Sequence, residues 1–229
     1  MIRKCYFVSN KGNRINNEDK FQINNFSSDG NDEIGKKIIL NNSLITVSDG
    51  MGGEEYGELA SLIVTKEMAR LYNKKLNTNK IYENIININN LVVAKMNEKK
   101  CRIGATLVSA VIKKNSIDIY NVGDSRAYLY SNKLIQLTKD HATNNGLTQH
   151  MGMNVEDVMI EPFIIENINV KKNDYLLLCS DGLYNMVNEI DIEKILTTSQ
   201  KEIDKCKELL NCALKNGGKD NITFLLIKF

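Results

Sequence analysis

Histidine and proline are scarce in this sequence. Its 229 residues include two histidines, His141 and His150, and one proline, Pro162. With so few imidazoles, a zinc enzyme has little to build on. The five cysteines (Cys5, Cys101, Cys179, Cys206 and Cys212) are scattered and odd in number, and none forms a CxxC pair. That argues against a zinc ribbon or a disulfide framework, and for free thiols in a reducing compartment. No stretch approaches the ~20 apolar residues needed to span a bilayer. The opening MIRKCYFVSNKGNR lacks the apolar core of a signal peptide. The expectation is a soluble, cytoplasmic protein with no membrane partner. One-sided charge is missing as well. Lys and Arg total 30 against 28 Asp and Glu, a formal charge of +2, which removes the main electrostatic reason to expect a nucleic-acid partner.

What is present is an ordinary globular composition, 42% hydrophobic and 25% charged. No linker or composition break divides the chain, so one domain over residues 1–229 is the simplest reading. Short apolar runs bounded by polar or Gly residues predict strands at Cys5–Val8, Phe21–Ile23, Ile38–Leu40 and Leu44–Val47. The polar segment Asn24–Lys36 reads as a hairpin loop. Apolar residues at three- and four-residue steps predict helices over Glu54–Leu76 and Lys80–Lys99. Strands return at Ala105–Ile112, Ile117–Val122, Ala127–Tyr130, Phe163–Val170 and Tyr175–Cys179. Helices follow near Glu189–Leu196 and Lys201–Lys215, and a strand at Ile222–Ile227 ends the order. Consecutive strands imply hairpins, hence an α+β fold of antiparallel sheets with helices packed outside. The first and last strands are apolar enough to be central.

One pattern occurs twice. Leu44-Ile45-Thr46-Val47 runs into Ser48-Asp49-Gly50, and Tyr175-Leu176-Leu177-Leu178-Cys179 runs into Ser180-Asp181-Gly182. A strand end holds its Asp in place, and the Gly allows close approach to the backbone or frees its carbonyl as a ligand. Further acids flank apolar runs: Glu18 and Asp19 before Phe21, Asp220 before Ile222, and Asp124 after Gly123. An isolated Asp-Gly step is most often a turn, but ordinary hairpins do not need matching strands and a preceding Ser. Acids at strand ends, with few His and no Cys cluster, suit hard cations such as Mg²⁺ and Mn²⁺.

The motifs in order are Gly12-Asn13-Arg14 to Asn17-Glu18-Asp19, Ser48-Asp49-Gly50-Met51-Gly52-Gly53, and Gly57-Glu58-Leu59-Ala60-Ser61. Gly104-Ala105-Thr106, Val122-Gly123-Asp124-Ser125-Arg126 and Leu137-Thr138-Lys139-Asp140-His141 follow. Ser180-Asp181-Gly182-Leu183 and Gly218-Lys219-Asp220-Asn221-Ile222-Thr223 complete the set. In this order the chain resembles the metal-dependent serine/threonine phosphatases of the type 2C family, bacterial branch.

The resemblance implies two antiparallel sheets packed as a sandwich with helices on both outer faces, a four-layer α-β-β-α arrangement. It implies hydrolysis of phosphoserine and phosphothreonine in proteins by a water or hydroxide between two central Mn²⁺ or Mg²⁺ ions, with a third site in bacterial members. Asp49 would bridge the ions, with the Gly50 carbonyl and Glu18 toward the second. Asp181 and Asp220 would hold the first, and Asp124 with Asp181 the third. Asp19 would support from behind, with Asn221 and His141 also supporting. Arg14 would clamp the substrate phosphate with its planar fork. Met51 stands where eukaryotic relatives carry a His proposed as general acid, so no side-chain acid is evident; His141 is the candidate substitute, with a packing role near the site as the alternative. The Gly52-Gly53 pair would give backbone room beside the metals. Bacterial relatives usually carry a longer flap where residues 142–146 stand here, and Asn144-Asn145-Gly146 reads as a tight turn. The partners implied are phosphorylated proteins, targets of Ser/Thr kinases, met by a monomer. The rivals are a catalytically inactive phosphoprotein-binding member of the fold and a phosphatase dedicated to a regulatory switch protein. Intact Asp49, Asp181 and Asp220 argue against the first; the second differs in substrate, not chemistry.

Overall fold

Strands that are apolar at every position need cover on both faces, and the fold supplies it. The computed structural model describes residues 1–51, 56–74, 76–154 and 159–229. Strands β1 (Arg3–Asn10), β2 (Lys20–Ile23), β3 (Phe26–Ser27), β4 (Glu33–Ile39), β5 (Ser43–Ser48) and β6 (Gly50–Met51) precede helices α1 (Gly57–Ala69) and α2 (Thr78–Lys99). Next come β7 (Gly104–Ala105), β8 (Leu107–Ile112), β9 (Ser116–Val122), β10 (Arg126–Tyr130), β11 (Leu134–Gln136), β12 (Ala142–Thr143) and β13 (Gly146–Leu147). Then follow β14 (Phe163–Asn169), β15 (Tyr175–Cys179), α3 (Asp181–Tyr184), α4 (Glu189–Thr197), α5 (Glu202–Lys215) and β16 (Ile222–Lys228).

One six-stranded sheet has the order β11-β10-β15-β16-β1-β4, the other β14-β9-β8-β5-β2-β3. Every pairing within them is antiparallel. The first and last strands lie side by side inside the first sheet, as their apolar character predicts. Alternation sorts the side chains. Cys5, Phe7, Leu176, Leu178, Leu225 and Ile227 meet Phe21, Ile23, Ile45, Val47, Val108 and Ile119 of the other sheet in the central layer. The opposite faces are buried as well. Tyr6, Val8, Leu177, Phe224 and Leu226 pack under α4 and α5, and Leu44, Leu107, Val111, Tyr120 and Val122 under α1 and α2. The architecture is the four-layer sandwich. Among the described residues no helix is long and apolar enough to cross a membrane.

Several boundaries differ from the sequence reading. The expected loop Asn24–Lys36 contains β3 and the start of β4. Both strands are the outermost of their sheets. Half-exposed edges carrying Lys36 and Lys37 dilute the apolar signal that marks central strands. Helix α1 ends at Ala69 rather than Leu76, and Asn73 beyond it has a left-handed φ of 65°. The readings placed on Gly52, Gly53, Glu54 and Glu55 fall outside the described residues. Short β11 and α3 left no periodic trace.

Where β14 pairs with β9, the register shifts between Ile165 and Ile168. The bulge is fastened by Asp118, which is buried. Its carboxylate accepts the Asn167 backbone N–H at 2.8 Å and pairs with Lys113 Nζ at 2.7 Å. Asp118→Ala leaves the Asn167 N–H without its partner and Lys113 without its ion pair, and is expected to destabilise the protein by about 1–3 kcal/mol in chemical denaturation.

Candidate active site

The strand ends and turns that carry the acids open into one cavity of about 860 Å³, lined by Arg14, Glu18, Asp49, Gly50, Asp124, Asp181, Asp220 and Asn221. Of the residues singled out from sequence, Asp19 and His141 stand outside this lining.

The twin motifs are built alike. Ser48 Oγ donates to the Thr106 carbonyl at 2.6 Å, and Ser180 Oγ donates to Asp19 Oδ2 at 2.7 Å. Each Ser therefore ties its strand end to a neighbouring segment, which explains the Ser in the pattern. Each Gly is needed for close approach. A Cβ at Gly50 would run into the Gly57 and Glu18 carbonyls, and one at Gly182 into the Asn221 carbonyl. Thr106 binds the Asp49 loop twice more. Its Oγ1 accepts the Asp49 N–H at 2.9 Å, and its own N–H donates to the Asp49 carbonyl at 2.8 Å. The Thr106 and Ser125 hydroxyls lie 2.6 Å apart, which joins the Asp49 and Asp124 loops.

Asn221 joins the two ends of the chain. Its Oδ1 accepts the Glu18 N–H at 2.8 Å, and its Nδ2 donates to the Lys11 and Asn16 carbonyls at 2.9 Å each. The Glu18 carbonyl accepts the Ser61 hydroxyl at 2.5 Å, and its carboxylate lies against the Cα of Gly57. Arg14 donates from Nη2 to Asp220 Oδ2 at 2.8 Å and from Nε to the Lys219 carbonyl at 3.1 Å. This holds the guanidinium at the cavity mouth.

His141 acts on backbone. Its Nδ1 accepts the Gly123 N–H at 3.2 Å, while its own N–H donates to the Gly123 carbonyl at 2.9 Å. Burial is the leading cause of a lowered imidazole pKa, which keeps Nδ1 available as acceptor. Three residues with no role assigned from sequence complete the Asp124 support. Tyr184 donates its hydroxyl to the Asp124 carbonyl at 3.1 Å. The Arg126 guanidinium covers the Tyr184 ring at 3.7 Å and grips Asp140 at 2.7 Å. Arg126 and Asp140 both lie in quoted motifs; Tyr184 had no sequence signal at all.

The electrostatics follow from burial first and crowding second. Burial, then Asp19, Asp181, Asp124 and Asp220, push the Asp49 carboxyl well above its usual range. Burial, then Asp220 and Asp124, push Asp181 up to about 6. Burial is also the first cause of the rise at Glu18, at Asp124, and at Asp19, which reaches about 8. Asp181 Oδ1 is buried without a hydrogen-bond partner. Among the described residues no group of three or more acid, His or Cys side chains is drawn together at coordinating distance; the acids ring the cavity. A ring of oxygen donors that penalise one another's charge, with one buried oxygen left unpartnered, fits hard divalent cations.

The chain is similar to known proteins. The serine/threonine phosphatase stp of Listeria welshimeri is 33% identical over 214 residues, covering 82% of this chain and 85% of that protein. The crystal structure of the serine/threonine phosphatase Stp1 from Staphylococcus aureus superposes with a TM-score of 0.82 at 29% identity, over 98% of this chain and 94% of that one. The catalytic domain of the serine threonine protein phosphatase PstP, in complex with 2 manganese ions, gives 0.79 at 25% identity, over 100% of this chain and 99% of that one. The family model for protein phosphatase 2C matches residues 27–218. With that match spanning most of the sandwich and a relative a third identical beside it, the chain belongs to the protein phosphatase 2C family.

Proposed function

We propose that the chain is a protein-serine/threonine phosphatase that uses Mn²⁺ or Mg²⁺. A fold alone does not establish an activity. The observation that carries the reading is the gathering of Asp49, Asp124, Asp181, Asp220 and Glu18 around one cavity with Arg14 at its mouth. The names of the relatives, serine/threonine phosphatases, support it. No feature of the site favours a non-catalytic phosphoprotein binder, since every acid of the motif set is present. We further propose one catalytic domain over residues 1–229, in which the β12–β13 hairpin replaces a longer flap. It would act in the cytoplasm, as a monomer, on targets of Ser/Thr kinases.

Asp49 would hold two cations jointly, with Asp181 and Asp220 on one and Glu18 and the Gly50 carbonyl on the other; Asp124 and Asp181 would take a third. Bound there, the cations would supply Lewis-acid charge neutralisation and acidify water near neutral pH. The protein's own part is positioning. Arg14 keeps donors of its five-donor fork free beyond those given to Asp220 and Lys219, and these would orient the phosphate dianion. Asp19, hydrogen-bonded to Ser180, and Asn221, bonded to the Glu18 N–H, fix the loops behind the ligands. Met51 carries no proton to give, and His141 stands outside the cavity lining. Neither side chain would protonate the leaving alkoxide.

Exhaustive chelation is expected to abolish hydrolysis of an aryl phosphate, and added Mn²⁺ or Mg²⁺ to restore it; full turnover after metal removal would overturn the reading. Asp49→Asn should lower turnover by a factor on the order of 10³. In metal-free buffer the same variant should melt higher by about 2–4 °C, because one of several crowded charges is gone. Near-normal turnover at saturating Mn²⁺ would show that Asp49 is not the bridge. Arg14→Ala should weaken substrate binding about 10–150-fold through loss of a charge-assisted contact. Calorimetric Mn²⁺ titration should change far less, whereas equal losses would assign Arg14 to holding Asp220 alone.

A further inference from the structure

The cavity has a second chemical character that phosphate hydrolysis does not use. Ile15, Met51 and Leu147 line it together with the acids. Ile15 follows Arg14 directly and is 91% exposed. A single exposed Ile needs no explanation on an ordinary surface. Here the backbone on either side of it is fastened. The Asn13 N–H donates to the Gly218 carbonyl at 2.8 Å and Asn13 Nδ2 to the Gly217 carbonyl at 2.6 Å. On the other side, the Asn16 carbonyl accepts Asn221 Nδ2 at 2.9 Å. The outward presentation of Ile15 is therefore a property of the fold, not of a free loop. Its two companions also sit on paired backbone, Met51 opposite Gly104 and Leu147 opposite Ala142.

We propose that Ile15, with Met51 and Leu147, forms an apolar rim that receives an apolar side chain flanking the phosphorylated residue of a protein substrate. The proposal rests on the phosphatase reading and adds a preference to it. A phosphate drawn toward Arg14 and the acid floor obliges the flanking peptide to cross the rim. An apolar neighbour removes Ile15 from water, whereas a polar neighbour loses hydration there without gaining a partner. Because the rim is already held in place, little ordering entropy opposes the contact.

The test uses the whole chain with Mn²⁺ and phosphothreonine peptides that carry Leu or Gln in turn at each position within two residues of the phosphothreonine. At one or more positions, Leu is expected to exceed Gln by about tenfold in kcat/KM. Ile15→Ser should bring that ratio to within about twofold, and Ile15→Leu should retain it. Equal kcat/KM for all peptides, or a ratio unchanged in Ile15→Ser, overturns the rim while leaving the phosphatase reading intact. Failure to hydrolyse any peptide or an aryl phosphate overturns the phosphatase reading, and the rim with it.

Discussion

Carboxylates repel one another, and the open end of this sandwich gathers several of them because their backbones are fastened from behind. Thr106 holds the Asp49 loop from both its N–H and its carbonyl. Ser180 holds Asp19, and Asn221 holds Glu18. Tyr184 and His141 hold the backbone at Asp124 and Gly123. None of these bonds neutralises an acid of the cavity lining. They spend folding energy to keep charge buried and crowded, and burial first, then the neighbouring acids, raise the carboxyl pKa values at Asp49 and Asp181. A site of this kind is poor for stability and well suited to cations, which is how a functional site trades against the rest of a fold.

The strands make this possible. β5 and β15 are buried along their whole length, so the residues at their ends inherit little freedom. Asp49 follows β5 directly and Asp181 follows β15 after Ser180, and their glycines let the Gly57 and Asn221 segments come close. The central layer between the sheets thus sets the relative positions of loops that belong to different sheets. A change in that layer would be felt at the acids without touching any of them.

The rim of the site follows the same principle with different chemistry. The segment that presents Arg14 and Ile15 is bonded to the 217–221 segment. The two-residue turn between β12 and β13 keeps Leu147 close to the cavity. Charge at the floor and hydrocarbon at the edge divide the labour. The floor would handle what all phosphorylated residues share, and the edge, as proposed, would meet what differs between them.

The sequence by itself determined the order and type of the main elements. Buried strands and amphipathic helices write their environment into consecutive residues, as Tyr175–Cys179 and Lys80–Lys99 do. It also determined the identity of the acids and their company, since the motifs are contiguous and ordered. It marked only the end of the edge strand β4, at Ile38–Leu40, and missed β3, since burial on one face only leaves a weak pattern. Only the tertiary structure decided that His141 works through Gly123 and that Tyr184 takes part. It alone decided that Ile15 is held out beside Arg14. The physical reason is separation along the chain. The contact of Glu18 with Asn221 spans 203 positions and that of Tyr184 with Asp124 spans 60. Such contacts form only when the sheets have packed and no local pattern carries them.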